Sequence, residues 1–101
     1  MVKRQPLSQS PTPVGVAWYK PDQWQKLLAV SVDKDKLEET YDEWMQEAER
    51  VIKELRRQGL YIVKVDVNVE ELVAWCQKKK IPVNGEARSM YAAHKLQQSA
   101  K

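Results

Sequence analysis

The sequence is poor in the residues that carry chemistry. Its 101 residues include one cysteine, one histidine, three glycines and no phenylalanine. A single cysteine, Cys76, excludes an internal disulfide framework and suits a reducing compartment, which places the protein in the cytoplasm. Three glycines do not make a Gly-rich phosphate loop, and no Ser-His-Asp set accompanies them. No segment has the length and apolarity of a membrane span. Lys3 and Arg4 are not followed by the apolar run of roughly 7–15 residues that a secretory leader needs. These absences argue against an enzyme, a bound cofactor and a membrane protein.

One long amphipathic helix is the strongest positive signal. Leu37, Tyr41, Trp44, Ala48, Val51 and Leu55 recur four and three apart, with Met45 and Ile52 beside them. That spacing lines one face of a helix and predicts a seam that packs against something. Asp35 with Glu38 three residues on predicts the capping box that starts it, and Gly59 predicts a left-handed stop. Acids fill the first turns, while Lys53, Arg56 and Arg57 fill the last. This polarity opposes the macrodipole and stabilises the helix on its own.

Around the helix the periodicity changes. Val14 to Tyr19 alternates Val14, Val16 and Trp18 with Gly15, Ala17 and Tyr19, which predicts a short strand that something approaches closely on its small-residue side. Pro21 suits the first position of a helix carrying Trp24, Leu27 and Leu28. Tyr61, Val63, Val65 and Val67 alternate with Ile62, Lys64 and Asp66, predicting a second strand with one buried face. Asn68 and Glu71 open a helix with Val69, Leu72, Val73 and Cys76 on one stripe, and Pro82 forbids its continuation. Asn84 caps a last helix with a weak stripe of Ala87, Met90, Tyr91 and His94.

The fold expected is α+β and mostly helical: β-α-α-β-α-α, with a small two-stranded sheet packed on a long central helix. Strands that pair across such a connection are parallel. Residues 14–98 form one globular domain. Residues 1–13 carry three prolines and little apolar surface, and are expected to be a disordered tail.

No residue pattern names an activity. His94 reads as a half-buried helix side chain, because metal and acid–base sites need partners that a lone histidine lacks. Cys76 reads as core, since a nucleophilic thiol needs exposure and a lowered pKa. The acids Glu39, Glu43 and Glu47 lie one turn apart but have no loop to complete a calcium site, and read as a solvated face. Catalytic, cofactor and metal sites are therefore expected to be absent. The expected function is a small non-enzymatic interaction or self-association module, a homodimer or a binder of a protein partner. The two short strands leave edges that a second chain can cover.

The alternative is a small nucleic-acid binder. Lys78, Lys79, Lys80, Arg88 and Lys95 make the last quarter basic, and two helices joined across Ile81–Val83 have the length of a helix-turn-helix. The first turns of the last helix offer only Asn84, Glu86 and Arg88 to a groove, which is a weak recognition face.

Overall fold

The computed structural model of the chain describes residues 12–99. The elements run β1 (Val14–Trp18), α1 (Pro21–Val30), a 3-10 turn (Lys34–Lys36), α2 (Tyr41–Arg57), β2 (Ile62–Asp66), α3 (Val69–Lys79) and α4 (Gly85–Ser99). The mostly helical α+β fold and its strand–helix order are as the sequence predicts. Of the expected tail, only Thr12 and Pro13 fall within the described residues.

β1 and β2 form a two-stranded parallel sheet in which Val14 faces Ile62 and Trp18 faces Asp66. Each strand runs directly into a helix. Pro21 occupies the first turn of α1, where its missing N–H costs nothing. Asn68 caps α3 by accepting from the Glu71 N–H, and Asn84 accepts from the Ala87 N–H at the start of α4. Gly59, at φ +94°, ends α2. The Leu60 N–H reaches the Leu55 carbonyl and the Gly59 N–H that of Arg56, the paired bonds of a Schellman stop.

Helices cover both faces of the sheet. α4 lies on the face of Gly15, where a Cβ would stand a tight 3.1 Å from the Ala92 carbonyl oxygen, so the glycine eases that close approach. α2 lies on the other face, where Trp18 meets Trp44 and Lys64 reaches Glu49. The one-faced burial expected of β2 holds with exceptions at its start. Val65 and Val67 are buried, but so is Ile62 on the opposite face, and Tyr61 is exposed. Lys64 and Asp66, on the same face as Ile62, stay exposed.

Two further expectations shift. The long helix starts at Tyr41, not after Asp35. Thr40 accepts from the Glu43 N–H while the Glu43 carboxylate accepts from the Thr40 N–H. Leu37 stays extended and the Glu38 carbonyl accepts from the Trp24 indole, which holds that segment out of the helix. Along α2 the buried line falls on Ile52, 2 % exposed, whereas Val51 is 37 % exposed. Tyr41, Trp44, Met45, Ala48 and Leu55 are half-buried.

The main core lies elsewhere, beyond the carboxyl ends of the strands. Tyr19, Trp24, Leu27, Val67, Val69, Leu72, Cys76, Val83, Ala87 and Tyr91 form it, with Leu37, Tyr41 and Trp44 packed against it. On α4 the buried positions are Ala87, Tyr91 and Ala92, and Met90 faces outward at 45 % exposure. Gln23 ties two helices together in this core: its Oε1 accepts from the Val69 N–H at 2.7 Å.

Candidate functional site: the edges of the sheet

A two-stranded sheet has two outer edges, and here they differ. In a parallel pair, alternate residues of each strand direct both backbone groups at the partner strand and the residues between direct theirs outward. The Val14 N–H donates to the Tyr61 carbonyl and the Val67 N–H to the Trp18 carbonyl. With the observed register, Val14, Val16 and Trp18 point inward on β1, and Gly15 and Ala17 point outward. On β2, Ile62, Lys64 and Asp66 point outward.

Side chains take two carbonyls on the outer edge of β2. The Ile62 carbonyl accepts from Arg56 Nη2 at 2.9 Å, and the Asp66 carbonyl accepts from Lys95 Nζ at 3.0 Å. Lys64 stands between them on the same edge, held by Glu49 at 3.1 Å and lying 4.2 Å from the Trp18 ring centroid. Charged side chains placed this way oppose the addition of another strand.

The outer edge of β1 carries no such cover. The backbone groups of Gly15 and Ala17 meet no donor or acceptor among the described residues. Only at the strand's end is a carbonyl taken: Tyr19 O accepts from the Tyr41 hydroxyl at 3.0 Å. Beside this edge runs a cleft of about 320 Å³. Leu37 and Trp44 line it from the α2 side, Arg88 and Ser89 from α4, with Tyr19 at the carboxyl end of the strand. The cleft is largely apolar. The Tyr19 hydroxyl is buried with no hydrogen-bond partner, and burial raises its pKa far above that of an ordinary phenol, with the Arg88 cation opposing the shift.

The basic residues expected to meet nucleic acid are not brought together as one surface. Arg88 is 11 % exposed and bonded to Asp33 through both guanidinium nitrogens, at 3.0 and 2.8 Å. Lys95 is committed to the Asp66 carbonyl. Lys79 lies over the Trp75 ring, and Lys78 and Lys80 are exposed at the end of α3.

Cys76 is 1 % exposed, and burial pushes its thiol pKa up, opposite to what a nucleophile requires. His94 is half-buried beside the Trp75 ring. Among the described residues, no group of three or more His, Cys, Asp or Glu side chains is placed to hold a metal ion, and no helix is long and apolar enough to cross a membrane. A second cleft, of about 290 Å³, opens at the carboxyl ends of the strands between Lys20, Asp22, Asp66 and Asn68. Helix N-termini in such a place attract anions. Here Gln23 and Asn68 already take the Val69 and Glu71 N–H groups, and two carboxylates line the opening.

The sequence predicts strand edges that a second chain can cover, but not which of them stays open. Alternation identified the faces of β1, but which edge stays free depends on strand order and on which long side chains fold back. Pro13, just before the strand and without an N–H, was the one local sign that pairing would be interrupted there. No family profile matches the chain, and no curated protein or solved structure is significantly similar to it.

Proposed function

We propose that this protein is a non-enzymatic interaction module that accepts an additional β-strand along the open edge of β1. One observation carries the reading: Arg56 and Lys95 take two carbonyls of the β2 edge and Lys64 adds a charge between them, while the outward backbone groups of Gly15 and Ala17 meet no partner among the described residues. An added strand supplies main-chain hydrogen bonds, and the cleft beside it supplies contacts for alternate side chains. The free, buried thiol of Cys76 supports action in the reducing cytoplasm. The nucleic-acid reading loses support, because Arg88 is bound to Asp33 and Lys95 to a backbone carbonyl.

Amide hydrogen exchange tests the proposal. In dilute protein the Gly15 and Ala17 amides exchange rapidly, while those of Val16 and Trp18, inside the ladder, are protected. On association the Gly15 and Ala17 amides become protected. Ala17→Pro removes only an outward N–H, keeps the internal ladder, and abolishes the association. Strong protection of Gly15 and Ala17 in the dilute monomer would overturn the reading.

A further inference from the structure

We infer that the strand added at this edge is β1 of a second copy, running antiparallel about a two-fold axis at Val16. The inference rests on the open edge proposed above and assigns its occupant and register. Only outward residues can form hydrogen-bonded pairs across the new junction, and an antiparallel pair exchanges both an N–H and a C=O. Three registers bring outward groups together. If Gly15 faces the partner's Gly15, Ala17 faces the partner's Pro13, which has no N–H to give. If Ala17 faces the partner's Ala17, Gly15 must donate to the partner's Tyr19, whose carbonyl already accepts from Tyr41.

The remaining register pairs Gly15 with the partner's Ala17 and Ala17 with the partner's Gly15. Every outward donor and acceptor of the strand is then satisfied. Pro13, without a donor, falls opposite the partner's Tyr19, whose carbonyl needs none. The edge is thus complementary to itself in partial charge, as a two-fold interface demands. The apolar row is self-complementary too. Val16 meets the partner's Val16, and Val14, 44 % exposed in one chain, is covered by the partner's Trp18. The result is one four-stranded sheet, β2-β1-β1-β2, whose outer edges are the two defended β2 strands. The charges on those edges oppose further growth into a fibre.

The full chain tests this by light scattering after size exclusion, together with two cysteine variants. At micromolar concentration the wild type is expected at twice the 11.8 kDa chain mass. Val16→Cys forms a disulfide-linked dimer under mild oxidation, because Val16 faces its own counterpart in a non-hydrogen-bonded pair about 4.5 Å apart at Cα. Val14→Cys does not, because it lies opposite the partner's Trp18. Ala17→Pro returns the mass to that of one chain, with wild-type circular dichroism as evidence of folding; the two cysteine variants carry the test if it does not fold. A dimer that links through Val14→Cys and not Val16→Cys overturns the register and leaves the edge reading standing. A wild-type monomer at high concentration, with rapidly exchanging Gly15 and Ala17 amides, overturns the second copy as occupant and leaves the edge open for another protein. A dimer indifferent to a folded Ala17→Pro overturns both.

Discussion

Arg88 grips Asp33 with two nitrogens, at 3.0 and 2.8 Å, across 55 positions of sequence. Its Nη1 also donates to Ser31, and Asp33 accepts from the Gly85 N–H, so the pair fastens the segment after α1 to the first turn of α4. Removing one partner leaves a poorly solvated charge unpaired. Arg88→Ala is expected to cost about 3 kcal/mol in urea denaturation, and a loss under about 1 kcal/mol would mean that water already satisfies the site.

The same pair predicts an acid dependence. Hydrogen bonding to Arg88 is the largest cause holding the Asp33 carboxyl below its ordinary value. A group whose folded pKa is depressed contributes stability that is present above its unfolded value and is lost as pH falls through the folded one. Wild-type stability should therefore drop as pH is lowered from the ordinary carboxylate range near 3.8. Asp33→Asn should flatten that part of the curve, and identical pH profiles for the two proteins would remove Asp33 from the acid response.

Trp44 is the hub of an aromatic group. It stacks on Trp24 at 5.1 Å between centroids and touches Trp18, Tyr19 and Tyr41 at 4.9, 5.5 and 5.5 Å. It joins α2 to the core while remaining half-buried. Trp44→Ala should cost about 3 kcal/mol, at the lower end for a large aromatic, measured by thermal or chemical unfolding. Val51→Ala, on the exposed flank of the same helix, should change stability by less than about 1 kcal/mol.

Tyr19→Phe is expected to leave stability unchanged or raise it slightly. The hydroxyl lost has no partner in the fold, so its burial is a cost without a compensating bond. A fall of about 2 kcal/mol or more on guanidine titration would show that the hydroxyl is bonded in solution.

Gln23 gives the sharpest test of how the two halves of the core depend on each other. Its side-chain oxygen accepts from the first N–H of α3, 46 positions away. Gln23→Ala should cost about 2 kcal/mol by removing a buried cap. Hydrogen exchange should rise first at the start of α3. Loss confined to α1 would mean that the cap is dispensable.

Much of the fold was legible because its local signals agree. Alternation marked both strands, and Pro21, Asn68, Gly59 and Asn84 act where their chemistry suggests. The start of α2 was misjudged because two capping patterns compete within a few residues. Asp35 with Glu38 and Thr40 with Glu43 are equally good locally. The Trp24 indole decides between them by claiming the Glu38 carbonyl, a contact spanning 14 positions. The Ile52 line was displaced for a related reason: a helix lying on a sheet buries whichever side the sheet meets. Arg88 looked like a surface cation because nothing in its own segment reveals Asp33.

Pairing β1 with β2 makes the start of the fold wait for its end. During synthesis the N-terminal strand leaves the ribosome long before Ile62, its first ladder partner, and longer still before Ala92 can close over Gly15. Until then the strand has neither of its neighbours, the situation in which nascent chains are most exposed to wrong pairings. A chain that stops before α4 would therefore leave the Gly15 face of the first strand without its cover.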